Sequence, residues 1–423
     1  MVSAENTSSA TTPDQAYDCT IIGGGPAGST VAALVAQAGF RTLLLERESM
    51  PREHVGESLM PEAYWTFQRL GVVEKLQASR FRKKNGVQFV SNTGKESAPF
   101  FFRTHDDRES SDSWHVERGE FDQMLFENAA FHGAECRQDA RVTDVLFDGE
   151  RAVGIRLQQG GATHEIASKV VVDASGQSAM LAGKLGVRRI NPDLRKAGVW
   201  AHYTGAPDHC QDGGVRTIIM QTQNKESWFW YIPQSSGVVS VGVVGDRDYL
   251  LTGRGTPQQV FDEELTKCPT LQGWLADAKQ VDEMRAAKEF SYTTERSAGD
   301  GWVLVGDAWG FIDPVYSSGV YFAVKSGELA ADCVVDALQA GEPTGERLGA
   351  WVQPFSERTS LVRKLVHAFY SGEFRVGQFL KEYPQHNDEL VDLLIGRIFD
   401  GERGAIFADL EPWLAERRAE AAL

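Results

Sequence analysis

The stretch Asp18 to Glu46, DCTIIGGGPAGSTVAALVAQAGFRTLLLE, decides the fold. Cys19 to Ile22 make a short apolar, partly β-branched run, the pattern of a buried parallel strand. Gly23-Gly24-Gly25-Pro26-Ala27-Gly28 then fits G-x-G-x-x-G. Residues from about Ala27 to Ala38 read as a helix, and Gly39 is placed to stop it. Arg41 to Leu45 read as a second strand, closed by Glu46, 18 residues after Gly28. Each part has a physical task. Gly23 permits the tight turn, Gly25 lets backbone approach a pyrophosphate, and Gly28 lets helix pack on strand. The helix start at Ala27 stabilises phosphate charge, and Glu46 can accept hydrogen bonds from a ribose. A glycine pattern alone is weak evidence. Strand, glycines, helix, strand and acid in register point to a bound dinucleotide.

A chain of 423 residues has room for two or three subdomains around a sizeable core. Its 43 basic and 59 acidic residues leave a net charge of −16, which argues against nucleic acid or anionic lipid as a partner. No apolar run reaches the ~18 to 20 residues of a membrane helix. Residues 1–15 are polar and Ser/Thr-rich, lack a secretory pattern, and read as a disordered lead-in. The five cysteines are scattered without a CxxC pair, as expected of reduced buried thiols in a cytoplasmic protein. The nine histidines show no metal-ligand spacing, so no protein-bound metal is expected.

Beyond Glu46, Val55-Gly56-Glu57-Ser58-Leu59-Met60-Pro61 is a loop leading into a helix through about Leu70. Residues 85–105 look like sheet, and Arg118 opens a helix through about Ala130. Residues 142–157 read as a hairpin turning at Asp148-Gly149. Lys169 to Asp173 is a buried strand ending in Asp173-Ala174-Ser175-Gly176, whose small residues allow close passage by a ligand. Residues 196–245 alternate as strands and include Trp228-Phe229-Trp230-Tyr231-Ile232-Pro233. A helix near 257–267 and strand over 280–294 follow. Trp302 to Val305 is a strand running into Gly306-Asp307-Ala308, and Gly310 to Gly319 opens a long helix of about 320–340. From Glu342 onward the pattern is helical and amphipathic.

Four segments together resemble the flavoprotein monooxygenase-like fold shared by aromatic hydroxylases: the glycine loop with Glu46, Arg118 before its helix, DASG 173–176 and GDA 306–308. The implied fold class is α/β, a Rossmann-like FAD-binding domain of the aromatic hydroxylase (glutathione-reductase-like) type. An inserted β-sheet substrate domain and a C-terminal helical segment complete it. The implied boundaries are an FAD-binding domain over 16–340, with segments about 16–75, 106–190 and 285–340. The inserted sheet comes from about 76–105 and 191–284, and residues 341–423 form a helical region with no motif. Whether those last helices cap the substrate site or close the core stays open.

Within this fold, two stretches are similar to flavin-dependent halogenases. Trp228-x-Trp230-x-Ile232-Pro233 matches their WxWxIP signature, and Phe311-x-x-Pro314-x-x-Ser317-x-Gly319 matches a second one near flavin and halide. Their lysine lies in a stretch resembling F-x-x-K-x-G-x-x-F. Phe81 to Phe89 aligns Lys84 with it, and Lys83 is its neighbour. By itself a lysine in an RKK run reads as a solvated charge. The resemblance places Gly23, Gly25, Ala27, Gly28, Glu46, Arg47, Ser58, Arg118, Asp173, Gly176, Asp307, Pro314 and Gly319 at FAD. It places a halide on Ser317, Ser318 and Gly319, where backbone amides meet a helix start.

The implied chemistry uses FADH2, O2 and chloride or bromide. A flavin C4a-hydroperoxide is attacked by halide, and hypohalous acid travels to Lys84. There it is held by an ammonium or captured as a haloamine and passed to an electron-rich aromatic carbon. Trp228 and Trp230 would serve by bulk, separating substrate from flavin, although paired tryptophans in sheets are commonly packing. Tryptophan halogenases carry a glutamate where this chain has Tyr316, which disfavours free tryptophan. Phenols or pyrroles fit better, free or presented on an acyl or peptidyl carrier protein. The base a phenol would need is open among Glu57, His115, His202 and Asp313. Carrier proteins are usually acidic, so docking would use local cations, with Arg80, Arg82 and Lys83 or Arg358, Arg363 and Lys364 as candidates. With one glycine motif and no second Rossmann unit, a separate flavin reductase is expected. The rival readings are a hydroxylase or reductase of the same fold, or a non-catalytic flavoprotein subunit of a biosynthetic assembly.

Overall fold

The computed structural model describes residues 16–209, 214–288 and 291–421. The expected disordered lead-in 1–15, and Cys210, lie outside the described residues. A parallel sheet carries the strands Trp302–Leu304, Ala162–Asp173, Tyr17–Ile22, Thr42–Leu45 and Glu135–Arg137 in that spatial order. Its strands are β-branched and aliphatic because helices Pro26–Gln37 and Arg118–Phe131 cover one another and the sheet, leaving Ile21, Leu43, Leu44 and Val170 to Val172 buried. The hairpin Arg141–Asp148 and Arg151–Gln159 extends the sheet antiparallel from the long strand; Asp148 pairs with Arg151, so the turn falls at Gly149-Glu150, one residue beyond the expected Asp148-Gly149.

A second, nine-stranded sheet holds Lys196–Thr204, Val238–Asp246, Ser227–Pro233, Val215–Gln221 and Arg82–Val90 as successive neighbours. Strand Ser227–Pro233 is buried along its whole length, so it has no polar face. Alternation divides it. Trp228, Trp230 and Ile232 join the main core, while Phe229 and Tyr231 pack on the other side with Phe261 and Leu250 under the short helices 247–274. Gly242 sits opposite Trp230 in the register, and a Cβ there would lie 2.2 Å from the indole. The segment 100–105, expected as sheet, ends in a single helical turn, Phe102–His105.

The chain then runs through helix Ser318–Ala340 into helices Val352–Tyr370, Asn387–Ile395 and Ile406–Ala421. They close the core through Phe355, Val362, Leu365 and Leu410. They also reach the site from two directions: Tyr370 meets Trp228, while Val391 and Ile395 pack on Phe102.

Candidate active site

Strand register places the cofactor cradle. Ile22 pairs with Leu45 on one side and Asp173 on the other, and Leu304 pairs with Asp173. Gly23, Glu46, Ala174 and Val305 therefore leave the sheet at one carboxyl edge, where ligands of doubly wound sheets bind. Gly23 adopts φ +105° and Gly28 stacks on it so closely that a Cβ would fall 1.9 Å from the Gly23 oxygen. Glu46 accepts the Gly24 N–H at 3.0 Å. Arg52 bridges Glu46 and Asp122, and its guanidinium is the nearest side chain to a Cβ built on Gly25. Arg118 binds Asp122 bidentately, at 2.8 and 3.0 Å.

A cavity of about 700 Å³ runs from this edge to the second sheet. At the cradle end its wall holds Gly23, Gly25, Ala27, Glu46, Arg47, Arg52 and Gly176. In the middle lie Ser58, Arg118, Gln177 and Asp307; at the far end are Pro314, Ser317, Gly319, Trp200, Trp228 and Trp230. Glycines that leave room for backbone, an acid, two arginines and a helix start match the donors and acceptors of FAD. Burial pushes the Asp307 carboxyl up to about 6, against the pull of the Arg118 charge and a hydrogen bond from Gln177. Three cofactor or halide candidates are not on the wall. Gly28 packs helix on strand, and Ser318 is buried as the first residue of the long helix. Asp173 accepts the N–H groups of Ser175 and Leu181 at 2.9 and 2.7 Å, shaping the turn behind the cavity.

The tryptophans are tied from outside their strand. Trp228 Nε1–H donates to the Tyr370 hydroxyl at 3.0 Å, and that hydroxyl donates to Asp313 at 3.1 Å. Trp230 Nε1–H donates to Ser240 Oγ at 3.1 Å. Trp200 faces Trp230 with ring centroids 6.4 Å apart and lines the same cavity.

At the far end a chain of hydroxyls leads away from the cavity. His115 Nδ1 meets the Pro233 carbonyl at 2.8 Å, so it must carry the proton, and Nε2 accepts from Thr217 at 2.9 Å. Thr217 Oγ1 in turn accepts from Ser58 at 2.8 Å, and Ser58 accepts from Ser317 at 3.1 Å. Burial, aided by the Lys84 charge, holds the His115 imidazole neutral by pulling its pKa to about 3. The Ser317 hydroxyl is thus committed to Ser58 and does not cap the helix it precedes, although Ser317 stands at φ +59° as the N-cap. Beyond this chain is Lys84, 2% exposed and off the cavity wall. Its Nζ donates to the Leu59 carbonyl at 3.0 Å, which also accepts from Ser113, and lies 5.6 Å from the Phe102 ring centroid. Burial pulls its pKa down to about 7. Consecutive residues of one loop, Ser58 and Leu59, thereby touch the cavity wall and the lysine.

A family profile described as FAD binding domain matches residues 16–336. The chain is 31% identical over 398 residues to a 1H-pyrrole-2-carbonyl-[peptidyl-carrier protein] brominase of Pseudoalteromonas luteoviolacea, covering 92% of this chain and 94% of that one. It is 29% identical over 414 residues to the corresponding chlorinase of Pseudomonas fluorescens, covering 92% and 91%. Its fold superposes on the flavin-dependent brominase Bmp2 with a TM-score of 0.85 at 31% identity, covering 96% and 99% of the two chains. This chain belongs to the flavin-dependent halogenases. It is an enzyme that binds FAD and halogenates aromatic substrates, and its fold class is the one the glycine loop and its partner segments imply.

Among the four base candidates, the halogenase fold pairs two. His202 Nε2 donates to Glu57 Oε1 at 2.6 Å and Nδ1 to Asp282 Oδ2 at 2.7 Å. Burial opposes a charge on His202, but the two carboxylates prevail and raise its pKa to about 9. Asp313, 1% exposed, is pushed by burial up to about 7, against hydrogen bonds from Val315 and Tyr370. The cations considered for carrier docking are largely engaged. Arg80 pairs with Glu120, Arg82 with Asp208, Lys83 with Asp112 and Lys364 with Glu411, while Arg363 is partly buried. Sequence reading missed Arg52, Gln177, Trp200, Thr217, Tyr370 and Asp282. Strand alternation marks Trp200 as inward-facing; the others carry no local signal, because distant segments bring them in.

Proposed function

We propose that this halogenase chlorinates or brominates a phenol or pyrrole, with Lys84 delivering the halogen. The observation that carries the reading is the state of Lys84: a buried amine with a carbonyl for its partner and a pKa near 7, one residue from the cavity wall. Such an amine is substantially neutral at working pH and competent to take up electrophilic halogen, while its ammonium form can hydrogen-bond hypohalous acid. Reduced FAD and O2 supply the oxidising power that converts halide to hypohalous acid. In this reading Glu46, Arg47, Arg52, Arg118 and Asp307, all on the cavity wall, hold that cofactor. Amides at Ser318 and Gly319, at the start of a 23-residue helix whose N-cap side chain is turned away, suit the halide. Trp228 and Trp230 stand between flavin and substrate by bulk, and Tyr370 holds the first of them in place.

Tyr316 in place of a carboxylate favours a ring activated by its own oxygen or nitrogen. The pyrrole-acting relatives favour a pyrrole carboxyl presented on a carrier protein. A separate reductase supplying FADH2, and the cytoplasm as the compartment that keeps thiols reduced, complete the reading. The test is a halogenation assay with FAD, NADH, an unrelated flavin reductase and bromide or chloride. Phenols and pyrroles, free and carrier-bound, are offered, with Lys84→Ala in parallel and mass spectrometry reading the isotope pattern. Halogenated product is expected from the wild type and none from Lys84→Ala, while reduced flavin is still oxidised. Product that persists in Lys84→Ala sinks the lysine's role, and oxygenated product without halogen sinks the proposed reaction.

A further inference from the structure

We propose that Asp282, His202 and Glu57 form a relay that carries a proton from solvent into the flavin cavity at each turnover. The inference rests on the halogenation reading, whose balance requires that proton. One aromatic C–H, one halide ion, one O2, one FADH2 and one proton become the carbon–halogen bond, FAD and two waters. O2 takes four electrons, two from FADH2 and two from the halide as it replaces hydrogen, and all four hydrogens leave as water. Halide enters as an anion and departs bound to a neutral ring, so a proton must follow it.

The side chains grade from inside to outside: Glu57 is 2% exposed, His202 11%, Asp282 24% and Arg285 35%. Glu57 lies on the cavity wall, next to Ser58. Its Oε1 is fixed by His202 at 2.6 Å and by Gln234 Nε2–H at 2.8 Å, while its buried Oε2 has no hydrogen-bond partner among the described residues. A buried carboxylate oxygen left open costs free energy unless something in the cavity uses it. At the other end Asp282 is held by Arg285 and by the His202 backbone N–H, and meets solvent. Other charges facing the chain are Glu53, beside Arg285, and Arg118, whose charge feels Glu57.

With both ring nitrogens donating to carboxylates, His202 stands charged, so the relay is loaded before halide arrives. Nε2 passes its proton to Glu57. That leaves a neutral ring still protonated at Nδ1. The ring then swings its bare Nε2 toward Asp282, takes the proton that Asp282 has drawn from water and returns, while Glu57 releases its own proton at Oε2 after its carboxyl turns.

Two readouts test this. In flavin-free protein labelled with 15N-histidine, both His202 ring nitrogens should stay protonated through pH 8, and the titration midpoint should fall in Asp282→Asn. In the coupled assay with bromide, His202→Gln keeps a hydrogen bond but cannot carry the proton. Its kcat should fall roughly tenfold or more, with a solvent deuterium isotope effect larger than the wild type's and FAD affinity within about twofold. Should His202→Gln fail to fold, Asp282→Asn at the surface end carries the same kinetic comparison. A neutral His202 at pH 7 overturns the relay, as do folded, FAD-binding variants with unchanged kcat and isotope effect. A wild type that makes no halogenated product overturns the proposed substrate reading instead, and the histidine titration still judges the relay.

Discussion

Lys84 exchanges water for one carbonyl, and among the described residues no carboxylate forms an ion pair with it. Its folded pKa of about 7 lies below the ordinary lysine value of about 10.4. The unfolded chain therefore binds more protons between those values, and this residue adds stability as pH rises through that window. At and below pH 7 the cost of burying the ammonium is felt in full. Lys84→Met should accordingly melt above the wild type by a margin that is largest near pH 6.5 and shrinks toward pH 10. Calorimetry at several pH values checks this, and a pH-independent margin would refute the buried-ammonium account. The phenylalanines bracketing the RKK run mark the strand from sequence. That Lys84 points inward while Lys83 lies 53% exposed beside Asp112 is a consequence of pairing with Ser113 and Trp114.

The strand Ser227–Pro233 shows how an element serves the site. Its signature is legible because a strand buried on both faces must be apolar throughout, and only the alternating members face the cavity. Its aim depends on the neighbouring strand, where Gly242 leaves the volume that Trp230 fills. Gly242→Ala should overpack this layer and destabilise the fold by about 1–3 kcal/mol. Urea unfolding measures the loss, and unchanged stability would mean the indole has another place to go. Tyr370 was not legible at all, since it approaches Trp228 from a helix 142 residues further along the chain.

Across the whole molecule, 59 acidic against 43 basic residues and paired cations on the candidate docking faces leave an anionic surface. An acidic carrier domain would approach against repulsion. Raising salt from about 20 to about 200 mM, which contracts the screening length to below about 10 Å, should raise kcat/KM for a carrier-tethered substrate several-fold. The same change should leave a free phenol or pyrrole nearly unaffected. A fall with salt would instead reveal a basic docking patch.

The sequence by itself determined what is written in short stretches of chain. The glycine turn, the acid after the second strand, the DASG and GDA loops and the two tryptophans each need only local geometry and residue type, so their spacing carries the fold and the cofactor. Tertiary structure decided what arises where distant segments meet. Glu57 lies 145 residues from His202, and Asp282 another 80 beyond, yet one strand and two loops set them in line. Burial, which draws Lys84 toward neutrality and leaves His115 uncharged, and the two carboxylates that keep His202 charged against it, are properties of the assembled core. A charge's free energy depends on the water and the partners around it, and those are fixed only when the chain has folded.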